Sequence, residues 1–234
     1  MGLIGIFAHR GSWLEIVSYL FSVAIVLLIA MPVHEYAHGF IATKLGDPTP
    51  RYQGRLTLNP KAHLDYFGIL SMILVGFGAA RPVSVDSRYF EKPKRDMALV
   101  ALAGPVSNLI IGFIAVLLQV IITFVLGAVG IISHGYLEIV FTLIGYIMFY
   151  IAMLNINLAV FNFIPIPPLD GSKILFALLP DRFYWKIMRY ERIFYFVLLF
   201  LIFFSGTFSN LLSSVIGSIL NIFYFVAGLP FKLF

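Results

Sequence analysis

Long apolar runs, interrupted by almost no charge, limit most severely what this chain can fold into. The first extends from about Ile16 to Leu45 and contains a single carboxylate, Glu35. Others run from Met97 to Ile132 and from about Ile139 to Ile164, each longer than the roughly 20 residues that cross a bilayer core as a helix. Residues Ile193 to Phe231 hold enough apolar sequence for two more, divided near Ser205-Gly206-Thr207. Hydrophobic residues make up 61% of the 234 and charged ones 12%, against roughly a quarter charged in a typical soluble domain. With mean hydropathy at +0.98, a soluble fold would expose far too much apolar surface. Lipid offers no hydrogen bonds to an open backbone, so spanning segments must be helical or form closed barrels. The expected class is an all-α polytopic membrane protein with about five transmembrane helices, embedded in a lipid bilayer.

Phe67 to Ala80 is apolar but short, about 14 residues or roughly 21 Å as a helix against the ~30 Å hydrocarbon core. Basic residues flank it on both sides: Lys44, Arg51, Arg55 and Lys61 before, Arg81, Arg88, Lys92, Lys94 and Arg95 after. A third basic cluster is Lys173, Arg182, Lys186, Arg189 and Arg192, whereas Gly130 to Glu138 has no Lys or Arg. The positive-inside rule puts the three basic loops in the cytoplasm. Phe67–Ala80 should then enter and leave on one side, as a re-entrant or membrane-surface element. Arg51 to Leu58 alternates in the manner of an edge strand or hairpin, and reads equally well as a surface loop. The net charge of +5 sits mainly in these loops, an orientation signal rather than a nucleic-acid surface. Met1 to Ala8 lacks the basic start and cleavage site of a signal peptide.

Inside the first run stands His34-Glu35-Tyr36-Ala37-His38. Residues four apart share a helix face, so His34 and His38 can present two imidazole nitrogens to one metal ion, with Glu35 beside them as a base toward water. Taken singly, each histidine would also fit a neutral core residue. Two of them flanking a glutamate in lipid point to function, because ionisable groups there are expensive. Pro32 would free a carbonyl and bend the helix nearby. Cysteine is absent, so zinc would need a third ligand from His, Asp or Glu. Asp47, Asp86, Asp96 and Asp181 lie among basic residues, as solvated or capping groups, and Asp65 lies near a membrane surface. Asp170 is the only acid between Glu138 and Asp181. It suits both a helix N-cap and a metal ligand. The first run ends just after His38 and the fourth just before Asp170, which brings both half-sites to one membrane side.

These residues resemble the site-2 proteases, intramembrane zinc metalloproteases. The likeness rests on His34 to His38, on Asn59-Pro60-Lys61-Ala62-His63, on Gly104-Pro105-Val106-Ser107-Asn108, and on the stretch Phe161 to Gly171 ending in Leu169-Asp170-Gly171. It covers about residues 17 to 180. The resemblance implies His34, His38 and Asp170 as ligands of one Zn2+ per chain, Glu35 as the catalytic base, and Asn162 as an asparagine close to the reaction. His63 is open to a loop-supporting role or an approach to zinc. There is no room for the PDZ or CBS domains of larger relatives, so a compact prokaryotic form is expected. Residues 1–234 would be one integral-membrane domain, with a catalytic core over about 17–180 and a C-terminal helical hairpin over about 190–231.

The implied function is a zinc metalloendopeptidase cutting peptide bonds in or near transmembrane helices of membrane-protein substrates. It would sit in the cell membrane with its active site toward the cytoplasm. The alternatives are a zinc-binding transporter, for which the internal repeats of many transporters are missing, and a non-proteolytic membrane hydrolase. Gln119 and Asn155 are candidates for bonds between helices.

Overall fold

The computed structural model describes residues 2–76, 80–129, 135–180 and 189–233, and every regular element among them is helical. A short helix α1 (Leu3–Ala8) precedes α2 (Trp13–Ile25), which opens with a reciprocal cap: the Ser12 hydroxyl accepts the Glu15 N–H, and the Glu15 carboxylate accepts the Ser12 N–H. A widened π turn (Val26–Ala30) then leads without a break into α3 (Met31–Lys44). Pro32 lacks the N–H that would bond the Leu28 carbonyl. The extra residue in the preceding turn absorbs the mismatch without ending the helix. Together these elements form one apolar rod of 32 residues.

Three further helices reach spanning length within the described residues. They are α6 (Pro93–Val129), α7 (Gly135–Phe163) and α10 (Gly206–Gly228). The expected division of the last apolar run is present. Helix α9 (Glu191–Phe204) stops at Ser205, whose hydroxyl accepts the Phe208 N–H to start α10. With 14 residues, α9 is about 21 Å long, too short to cross ~30 Å of hydrocarbon unaided. The chain is a multi-pass membrane protein with four such long apolar helices among the described residues. The uncharged connection after α6 and the basic stretch from 181 to 188, both used to assign sides, fall largely outside the described residues.

The short apolar stretch is helical as well. Helix α5 (Tyr66–Val75) is capped by Asp65, which accepts the Gly68 N–H, and ends at Gly76 with φ 81°. Arg51 to Leu58 does not form an edge strand, and no strand occurs among the described residues. After α4 (Thr49–Tyr52) the Pro50 carbonyl accepts both the Arg55 and Leu56 N–H groups around Gly54 at φ 65°. Those backbone groups close a tight turn and are lost to any ladder. Residues 80–86, which have no regular secondary structure, are pinned by the Arg81 N–H donating to the His63 carbonyl and the Asp86 N–H donating to Asp47.

Helices α6 and α7 form the centre, with α3 and α8 (Asp170–Leu178) against α6, α2 against α7, and α10 across both. Polar bonds join them where lipid supplies no hydrophobic drive between helices. Ser22 donates to the Ile147 carbonyl at 3.0 Å. Gln119 donates to Gly145 of α7 and accepts from Tyr224 of α10, as a connector between helices should. Asn155 bonds instead within its own helix, to Ile151. Tyr19, fully buried, donates to the Met72 carbonyl at 2.6 Å and meets Tyr150 edge-on, tying α5 to α2. Tyr19→Phe should therefore lower stability by about 1 kcal/mol, the net worth of one buried hydrogen bond, since the Met72 carbonyl then keeps only the Gly76 N–H. A thermal or denaturant unfolding curve in detergent micelles reads this, and an unchanged midpoint would refute the tie.

Candidate metal centre

One turn of α3 brings His34 and His38 together on the face turned toward α6. Their Nε2 atoms lie 3.1 Å apart and the rings meet edge-on at 85°. After α7 ends at Phe163, a tight turn of the chain through the Pro-rich stretch returns to start α8 at Asp170. Asp170 Oδ2 sits 3.4 Å from His34 Nε2 and 3.1 Å from His38 Nε2. Leu169, not Asp170, occupies the N-cap position, and Asp170 is the first helical residue. One ligand atom from each of the three side chains falls within a 4.8 Å spread, and all three residues are buried.

Their chemistry suits a cation. His38 Nδ1 lies 2.7 Å from the Val100 carbonyl, which can only accept. The ring proton therefore belongs on Nδ1, and Nε2 turns a lone pair toward the Asp170 carboxylate. Electron-rich N and O atoms facing one another in a buried site call for positive charge between them, and two histidines plus a carboxylate form a known catalytic zinc set. Room for it comes from Gly104 of α6: a Cβ there would stand 2.4 Å from His38 Nε2 and 2.6 Å from His34 Nε2. Gly171 is equally constrained, since a Cβ would lie 2.3 Å from the Phe163 carbonyl. Only a bare backbone lets α8 start so close to the end of α7.

Around this cluster lies a cavity of about 530 Å³, lined by Glu35, Asn108, Asn162 and Lys173 among apolar residues of α3, α5 and α7. Glu35 is buried, and its Oε2 accepts the Val83 N–H at 2.9 Å. Asn162 lines the cavity, but its Nδ2 donates to the Leu158 carbonyl of its own helix at 3.0 Å. Lys173 donates to Asp170 Oδ1 at 3.1 Å. His63 is fully buried outside the cluster, with Nε2 at 2.9 Å from the Thr57 carbonyl, and holds the loop together. Asp47, Asp65, Asp86 and Asp96 each accept nearby backbone N–H groups, as capping acids do. At half-buried Asp86, the Arg88 guanidinium holds the carboxyl below its ordinary range. Asp181 and His134 lie outside the described residues.

Several contributors escaped the sequence reading. The Val83 N–H and Val100 carbonyl are backbone groups, with no side-chain signature. Lys173 stood only as an orientation charge, although its position three after Asp170 would bring it alongside on a helix. Gly104 and Asn108 belonged to a recognised motif, four apart on one helix face, yet nothing in one sequence says what that face meets.

The chain is similar to known metalloproteases. The model of Peptidase family M50 matches residues 22–205. The "Putative zinc metalloprotease" YwhC of Bacillus subtilis is 40% identical over 71% of this chain and 73% of its own length. Rip2 of Mycobacterium tuberculosis, which carries the same designation, is 27% identical over 63% of this chain and 53% of its own. Rip2 of Mycolicibacterium smegmatis is 28% identical over 62% and 52%. The chain thus spans about half the length of the Rip2 relatives. No solved structure matches it.

Gly104→Ala should empty the centre, because its methyl would sit against both Nε2 atoms. Gly112→Ala on the same helix is the control, since its nearest contact would be an ordinary 3.4 Å. Metal content of the two purified variants, by inductively coupled plasma mass spectrometry, tests this. Equal loading would show that Gly104 makes no room for the ion.

Proposed function

The chain belongs to Peptidase family M50, and on that premise we propose that this membrane zinc metalloprotease is an intramembrane endopeptidase that cuts within or near transmembrane helices. The carrying observation is the convergence of His34, His38 and Asp170 from two separate helices, with Glu35 beside them on the same cavity. In this reading those three residues hold one Zn2+ and Glu35 is the general base. When bound, zinc supplies Lewis acidity to the scissile carbonyl and the attacking water.

The Val83 N–H fixes one oxygen of Glu35, and the other has no hydrogen-bond partner among the described residues. That second oxygen takes a proton as water attacks the peptide carbon, then returns it to the amine nitrogen when the C–N bond breaks. Asn162 acts as a donor to the developing oxyanion once its amide turns from Leu158 toward the cavity. Lys173 keeps the outer oxygen of Asp170 occupied, which aims the inner one at the histidines.

The cavity supports an unwound substrate. At about 530 Å³ it holds little more than one turn of a helix about 10 Å across. Helical amides are also bonded internally and must be released before attack. The basic loops next to α3 and α6 support a site facing the cytoplasm. Residues 17–180 then form the catalytic core, and the α9–α10 hairpin completes one domain.

Two variants test the reading in purified protein and in membranes. Glu35→Gln should keep zinc and lose at least about 100-fold in cleavage rate, whereas Asp170→Ala should lose zinc and cleavage together. Mass spectrometry of membrane proteins from cells carrying active or Glu35→Gln enzyme should find fragments ending inside spanning helices only with the active form. Fragments ending solely in soluble domains, or unimpaired Glu35→Gln cleavage, would refute the proposal.

A further inference from the structure

Asn108 of α6 is fully buried, four residues after Gly104, and presents its side-chain amide to the far side of the His34 ring. Its Nδ2 stands 3.1 Å from His34 Nδ1, while its Oδ1 is buried without a hydrogen-bond partner. The first of these conflicts with a metal on His34. For Nε2 to bind a cation as neutral imidazole, the ring proton must sit on Nδ1, and an N–H there cannot face an amide N–H. A half-turn of the amide exchanges its two ends, which have nearly the same shape. Oδ1 then lies where Nδ2 was and accepts the Nδ1–H, while Nδ2 takes over the buried position without a partner; the clash at His34 is what the exchange removes.

From this we infer that Asn108 is a positioning residue for the centre: its amide oxygen holds the proton of His34 on Nδ1 and so keeps Nε2 as a ligand. The Val100 carbonyl does the same for His38 at 2.7 Å. Both partners of the histidines therefore come from α6, one a main-chain oxygen and one a side chain. Gly104 lies on the same helix between them and leaves the space that the two rings face. Such outer partners of a metal-bound histidine typically change metal affinity 10–100-fold when removed.

This inference rests on the proposed zinc site and is separable from it. The experiment is competition for zinc between the purified full-length protein and a chromophoric chelator, for wild type, Asn108→Leu and Asn108→Asp. Leu matches the shape but cannot accept a hydrogen bond; Asp can only accept. A pure packing role predicts that Leu is tolerated and that Asp, a buried charge, is worse. The acceptor role predicts the opposite order, with Leu binding zinc about 10–100-fold more weakly and Asp at or above the wild-type affinity. Leu within threefold of wild type, or Asp falling along with Leu, overturns the role of Asn108 and leaves the zinc site standing. A wild type that takes up no zinc overturns the proposed function and this inference with it.

Discussion

A carboxylate and two imidazoles, all buried, point their electron-rich atoms at one spot between helices, and the surrounding fold is organised to make that arrangement tolerable. A buried charge without a partner costs several kcal/mol. Here Asp170 is compensated on one side by Lys173 and on the other by the histidine pair that would share its cation. The same cluster also dictates close approaches. Rings of α3 can face Asp170 only where α6 carries no side chain, at Gly104, and Asp170 can reach them only where α8 begins without one, at Gly171. Two hydrogen atoms in place of methyl groups decide whether the site exists.

Glu35 is held by a different device. Among the described residues no group of α3 hydrogen-bonds the Glu35 carboxylate, and the chain outside the helix supplies the donor. Residues 80–86 pass beside α3, tied at one end to the His63 carbonyl and at the other to Asp47, with Val83 donating to Glu35 in the middle. His63 and Asp47 are both fully buried. Asp47 acts through its carboxylate and His63 through its main-chain carbonyl, by fixing a strap whose central N–H orients Glu35.

What a reader of the sequence can recover follows from how local each signal is. Helix class and the split at Ser205 come from apolar length and a cap, both properties of contiguous residues. His34, Glu35 and His38 share one helical turn, and Asp170 stands out because acids are so rare in that part of the chain. The edge-strand reading of Arg51–Leu58 failed because alternation records only which residues are apolar. Whether Pro50 and Gly54 close a turn and use up the backbone groups is a matter of conformation. The same limit hid the partners of the histidines. A carbonyl at Val100 looks like any other carbonyl, and Asn108 has meaning only once α6 is known to lie against α3. Family resemblance brought Asn162 to the site, yet its amide is engaged with Leu158, a detail of rotamer that no motif carries.

Helix lengths also bear on how water and a peptide reach the centre. His34 lies ten residues before the end of α3, about 15 Å along the helix at 1.5 Å per residue, and Gly104 lies a similar distance inside the start of α6. The reacting groups are thus about half a hydrocarbon thickness from the helix ends. A bundle of full-length helices would seal such a point. Helix α5, with 10 residues, does not extend far enough to do so, and its Phe67, Gly68, Ser71 and Val75 form a wall of the cavity rather than a plug. Asp65 starts this helix and Gly76 stops it by taking a left-handed conformation, so its shortness is written into its two ends.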